Sequence, residues 1–136
     1  MLRLLVISLL FTRLHAAAFA PPPIPVPDRV EITPVDTAAN VPPAVLSTKR
    51  SRAFATLVNR LKWLGQTGGC DKAQYELKFY AGGKIVADRL ICFNCGCYAP
   101  TTQDPHPDAP ILTFDIKDAN TARLQKSIEQ LFPVRK

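Results

Sequence analysis

Four cysteines carry most of the side-chain chemistry this chain offers. Three lie in Cys92-Phe93-Asn94-Cys95-Gly96-Cys97, and the fourth, Cys70, sits upstream behind Gly68-Gly69. C-x-x-C spacing brings two thiolates onto one zinc, and Cys70 with Cys97 could complete a tetrahedron begun by Cys92 and Cys95. The same sulfurs could exchange disulfides. A redox C-x-x-C, however, opens a helix whose N-terminus lowers the thiol pKa, whereas Leu90-Ile91-Cys92-Phe93 reads as a buried strand. No histidine lies nearby to share a metal.

Compartment decides between these chemistries. Met1–Arg3 form a basic head, Leu4–Phe11 an apolar segment of eight residues, and Ala16-Ala17-Ala18 a small-residue cleavage site. That is the pattern of an export leader cut after Ala18. Eight apolar residues fall well short of the roughly 20 that span a bilayer, so the chain reads as exported, to periplasm or extracellular space, and not as membrane-spanning once the leader is removed. Exported thiols oxidise, which makes two disulfides the first expectation and a metal the alternative.

Outside the cysteines, catalytic groups are sparse. His106 stands in Asp104-Pro105-His106-Pro107-Asp108, where it could hold a metal weakly with Asp104 and Asp108, but the flanking residues are ordinary turn formers and the segment reads as an exposed proline loop. There is no G-x-S-x-G nucleophile motif and no phosphate-cradling glycine loop. The expectation is a non-enzymatic binding or structural module without a cofactor.

Charge is uneven. The chain carries +6, and removing Arg3 and Arg13 with the leader leaves +4. Lys49, Arg50, Arg52, Arg60 and Lys62 carry five positive charges with no acid between Asp36 and Asp71, so the remainder is near neutral at −1. Such a cluster attracts an anionic envelope surface or an acidic protein face through a field screened over roughly 8–10 Å. Nucleic-acid modules are missing, so nucleic acid is not the expected partner. Arg52, Arg60, Lys62 and Trp63 are the candidate partner-binding residues, with Trp63 on the opposite side of the helix from its apolar stripe.

The elements that position these residues follow from pattern. Eight of thirteen prolines fall between Pro21 and Pro43. Residues 19–45 therefore read as an extended, proline-rich linker, within which Arg29–Thr33 alternates and could add an edge strand. The domain then spans residues 46–136. Phe54, Leu57, Val58, Leu61 and Leu64 recur at helical spacing and predict a helix over 51–64, capped by Ser51 and ended by Gly65. Tyr75, Leu77 and Phe79 alternate as in a strand, and Gly82-Gly83 predicts a tight hairpin.

That turn implies Tyr80 opposite Ile85, Glu76 opposite Arg89 and Tyr75 opposite Leu90, with Asp88 falling badly against Leu77. Carried further, the register sets Cys70 opposite Cys95 and predicts a bridge between them, leaving Cys92 with Cys97. The second bridge needs Gly96 to make a bulge or turn. A third strand is expected at Ile111–Ile116, beyond a loop from Pro100 to Pro110, and a last helix from near Asp118 buries Leu124, Ile128, Leu131 and Phe132. The sum is an α+β domain in the order α-β-β-β-α, a three-stranded antiparallel sheet with two helices on one face.

Overall fold

The structure is a computed structural model that describes residues 20–35 and 40–133; the leader read over residues 1–18 lies outside them. Among these residues it is an α+β fold with two helices, but its sheet has seven strands where the sequence suggested three. In chain order they are β1 (Arg29–Pro34), β2 (Ala44–Val45), α1 (Thr48–Asn59), β3 (Trp63–Gln66), β4 (Tyr75–Ala81), β5 (Lys84–Cys92), β6 (Cys97–Pro100), β7 (Leu112–Phe114) and α2 (Ala119–Glu129). The order across the sheet is β2-β1-β4-β5-β6-β7-β3, every pairing antiparallel. Four of these strands, β2, β3, β6 and β7, hold only two to four residues. Alternation needs about four residues to register in a sequence, and these pairings are made through space rather than by local pattern.

The stretch read as a linker is part of the fold over its described residues. Between its prolines, β1 keeps free N–H groups and pairs along six residues of β4, burying Val30 and Ile32 completely. Upstream, Asn59 clamps the chain from both sides: Ile24 N–H donates to its Oδ1 at 2.8 Å, and its Nδ2 donates to Ile24 O at 3.1 Å. Those bonds satisfy the backbone of a segment that prolines exclude from a ladder.

Helix α1 starts earlier than its apolar stripe suggests, because Ser47 is the cap, accepting from Arg50 N–H at 3.4 Å. Ser51 lies inside it, buried, with its hydroxyl donating to Leu46 O. The helix also ends sooner, at Asn59, and the chain enters β3, so Leu64 is exposed where a longer helix would have buried it. Helix α2 begins where expected, with Asp118 accepting from Asn120 N–H at 3.1 Å. Phe54 and Val58 of α1 and Leu124 and Ile128 of α2 share one core with Val30, Ile32, Leu77, Phe79 and Ile91 of the sheet. Each such side chain stabilises by about 1.5–3 kcal/mol on burial.

Gly82 and Gly83 do form the β4–β5 turn, with φ of 59° and 77°. Two pairs beyond it the ladder slips by one residue, leaving Val86 extra on β5. The expected pairs are corrected accordingly: Glu76 faces Leu90, Tyr75 faces Ile91, and Asp88 faces Lys78 instead of Leu77. A bulge of this kind flips every following side chain to the other face relative to the unbroken register. Arg89 is thereby buried beside Leu77, where Asp104 from the loop after β6 meets its Nε. The same Asp104 carboxylate accepts from the N–H groups of Asp88 and His106, each at 2.8 Å. Three donors on one buried carboxylate are what an ion pair away from water requires.

Asp88 fares differently. It is fully buried, and among the described residues neither of its carboxylate oxygens has a hydrogen-bond partner. Burial, with Glu76 adding repulsion, raises its pKa from 3.8 to about 6, while Thr101 and Lys78 pull the other way without cancelling the rise. The folded state thus disfavours the carboxylate. Below the unfolded pKa both states are protonated and no penalty exists; it grows as pH rises towards 6 and is complete above that. We predict that the stability of Asp88→Asn relative to the parent improves by about 1–2 kcal/mol between pH 4 and pH 7.5, read from urea unfolding midpoints at each pH.

Candidate functional site

The cysteines meet where a crossover passes over the sheet. Strand β3 lies at one edge and β4 is four positions away, so residues 67–74 must traverse β7, β6 and β5 before β4 begins. Four strand spacings are roughly 19 Å, and eight extended residues reach at most about 28 Å, so the segment can span the sheet without a helix. Its middle residue, Cys70, is at disulfide distance from Cys97, the first residue of β6, with Cα atoms 5.7 Å apart. The expected Cys70 to Cys95 bridge assumed that the β4–β5 ladder continued to Cys70. It cannot, because the chain leaves the ladder before Tyr75 to make the crossover.

A second hairpin supplies the other sulfurs. Cys92 ends β5 and lies directly opposite Cys97, and residues 93–96 form the turn between them. Gly96 makes that turn, as a Cys92 to Cys97 bridge would need, yet Cys97 is joined to Cys70 and both Cys92 and Cys95 are left as thiols. Cys92 is buried and Cys95 exposed. The Cys95 N–H donates to Cys92 Sγ at 3.4 Å, and Cys95 Sγ lies 3.3 Å from Cys97 Sγ. Burial first, and then the adjacent Cys92 sulfur, raise the Cys95 thiol above its ordinary pKa of 9.0.

Gly96 is held there by two demands at once. Its φ is +64°, and a Cβ at this position would come within 2.8 Å of Phe114 O and 2.9 Å of Ile116 Cγ2. Its own carbonyl accepts from Phe114 N–H at 2.9 Å, so β7 cannot retreat without losing that bond. Among the described residues, the group of His, Cys, Asp and Glu placed to hold a metal ion is Cys70, Cys95 and Cys97, whose ligand atoms lie within 4.8 Å of one another. The Asp104, His106, Asp108 set does not assemble: Asp104 is committed to Arg89, and His106 and Asp108 are exposed.

The basic set does not converge either. Arg52 and Arg60 are exposed, but Lys62 pairs with Asp115 at 3.7 Å. Trp63 is on β3 and not on a helix, its ring packed 5.1 Å from Tyr98 and 6.2 Å from Phe114 between centroids. An indole so placed completes the core instead of presenting an anchor. A hollow of about 300 Å³ between Trp63, Tyr98, Val58, Asn59 and the chain at Ala20–Pro23 is its remaining open side. The sequence favoured Cys95 as the partner of Cys70 and offered Cys97 only for a two-residue slip of register, and it did not point to the Asp104 to Arg89 pair, since both contacts join a loop to a distant strand.

The chain matches no family model, no curated protein and no solved structure. Its functional reading therefore rests on the cluster's own geometry.

Two outcomes follow. Gly96→Ala destabilises by about 2–3 kcal/mol in chemical denaturation, whereas Gly83→Ala, with open space around it, costs only the backbone term of about 1 kcal/mol. In native protein a thiol-alkylating reagent modifies Cys95 and spares Cys92. Because the Cys95 pKa lies above 9.0, that rate still climbs between pH 8 and pH 9 by about tenfold, without the plateau of an acidic thiol, as followed by mass spectrometry.

Proposed function

We propose that this chain is an exported, non-enzymatic structural or binding module whose Cys70 to Cys97 staple is exchangeable, with Cys95 as its internal nucleophile. The observation that carries the reading is the 3.3 Å approach of Cys95 Sγ to Cys97 Sγ, with Cys95 open to solvent. The leader pattern over residues 1–18 supports export, and export supports an oxidised staple. No helix among the described residues is long and apolar enough to cross a membrane.

The step conserves electrons. Cys95 loses its proton to water and its thiolate attacks Cys97 Sγ. A Cys95 to Cys97 bond forms as the Cys97 to Cys70 bond breaks, and Cys70 leaves as a thiolate that takes a proton from water. No oxidant or reductant is consumed. With Cys70 bonded, the crossover is tied down and the closed loop contributes on the order of 3 kcal/mol by the chain-entropy estimate; with Cys70 released, the residues before β4 are freed. Since the raised thiol pKa keeps Cys95 protonated near neutrality, exchange is slow.

Acid-quenched disulfide mapping tests this. Incubated without reductant, the parent should yield both Cys70 to Cys97 and Cys95 to Cys97 peptides, and Cys95→Ser only the first. A parent bridge that never leaves Cys70, or migration that persists in Cys95→Ser, would sink the reading.

A further inference from the structure

We propose that the reduced cluster is a tetrathiolate metal site, in which Cys70, Cys92, Cys95 and Cys97 together take one soft, tetrahedral cation such as zinc. The proposal does not rest on the exchange reading; it needs only that the staple be opened by a dithiol reductant, which is oxidised to its own disulfide as Cys70 and Cys97 become thiols. Binding then displaces the four thiol protons to solvent.

Three features carry it. First, Cys70, Cys95 and Cys97 come from two separate segments, yet their sulfurs already lie within 4.8 Å of one another, and Cys95 Sγ and Cys97 Sγ are 3.3 Å apart. Around a zinc with bonds of about 2.3 Å, tetrahedral sulfurs sit roughly 3.8 Å apart, so Cys95 and Cys97 need part by only about half an ångström, while Cys70 and Cys97 separate further once their bond is reduced.

Second, the fourth sulfur stands beside this group, although it is not within 4.8 Å of all three and must move inward to join them. Cys92 lies across the β5–β6 pair from Cys97, and the turn between them returns the Cys95 N–H to Cys92 Sγ at 3.4 Å. An amide donated to sulfur stabilises a thiolate, and the turn depends on Gly96 in a left-handed conformation that β7 prevents from relaxing. The knuckle is thus built before any ligand arrives.

Third, the burial is that of a structural site with one open side. Cys92 and Cys97 are buried and Cys70 is half-buried, while Cys95 stays exposed as the entry path. With no histidine or carboxylate in the group, the donor set is all sulfur, which selects zinc or cuprous copper over magnesium or calcium.

The experiment uses the full chain, reduced and desalted without oxygen, titrated first with Co(II) and then with Zn(II). One equivalent of cobalt per chain should produce thiolate-to-metal charge-transfer absorption with the intense visible bands of a tetrahedral ion, and one equivalent of zinc should abolish both. Cys92→Ser and Cys95→Ser should each loosen zinc at least about tenfold in competition with a chromophoric chelator. The oxidised chain should bind none. If reduction unfolds the protein, the titration is read by circular dichroism, where recovery at one equivalent supports the site and no recovery overturns it. Absence of the cobalt spectrum overturns it also, and undiminished affinity in Cys92→Ser removes the four-sulfur set. Bridge migration in the oxidised protein is measured independently, so the two readings fail separately.

Discussion

The fold depends on one short crossover. Placing β3 at the sheet edge beside β7 completes the core around Trp63, Tyr98 and Phe114, but it leaves the chain four strands from where β4 must start. Residues 67–74 are long enough to cover that span, and they do so without strand pairing for most of their course. Pinning Cys70 to Cys97 at the halfway point replaces missing backbone bonds with a covalent one. It also explains why the sulfurs are gathered here: the crossover must pass over β6 beside the β5–β6 turn, and that turn already carries two thiols.

The bulge at Val86 plays the same part for the polar interior. By moving β5 one residue along β4, it gives Asp88 a cation in Lys78 across the ladder and turns Arg89 inward beside Leu77. Arg89 is then satisfied by Asp104, and Asp104 by three donors, whereas the Asp88 carboxylate has none. Arg89 also lies over the Tyr98 ring, at 5.4 Å from its centroid, which joins this pair to the aromatic core. The bulge therefore leaves one orphaned carboxylate and one buried, fully hydrogen-bonded ion pair, and the cost of the first is smallest while Asp88 keeps its proton.

These two devices converge on the cysteine cluster. The Phe93–Gly96 turn is locked between β7, through the Gly96 carbonyl, and the crossover, through Cys97. A rigid turn holding Cys92 and Cys95, with a less constrained Cys70 brought over it, suits a site whose bonding can change while its scaffold does not. No comparable device holds the basic set: Arg52 and Arg60 are exposed, Lys62 pairs with Asp115, and Trp63 packs on Tyr98.

By itself the sequence determined the local elements with strong signals: the Gly82-Gly83 turn, the alternating β4, the Asp118 cap and apolar stripe of α2, and the irregular Pro100–Pro110 loop. Each of these is set by φ preference, periodicity or capping within a few neighbouring residues. Tertiary structure alone decided which sulfurs pair, that a proline-rich stretch contributes β1 and β2, that Trp63 faces the core, and that the sheet has seven strands. Short strands carry too few residues for a period, and one bulged residue reverses every side chain after it. Cys70 meets Cys97 only because a distant strand edge fixes the course of the chain between them.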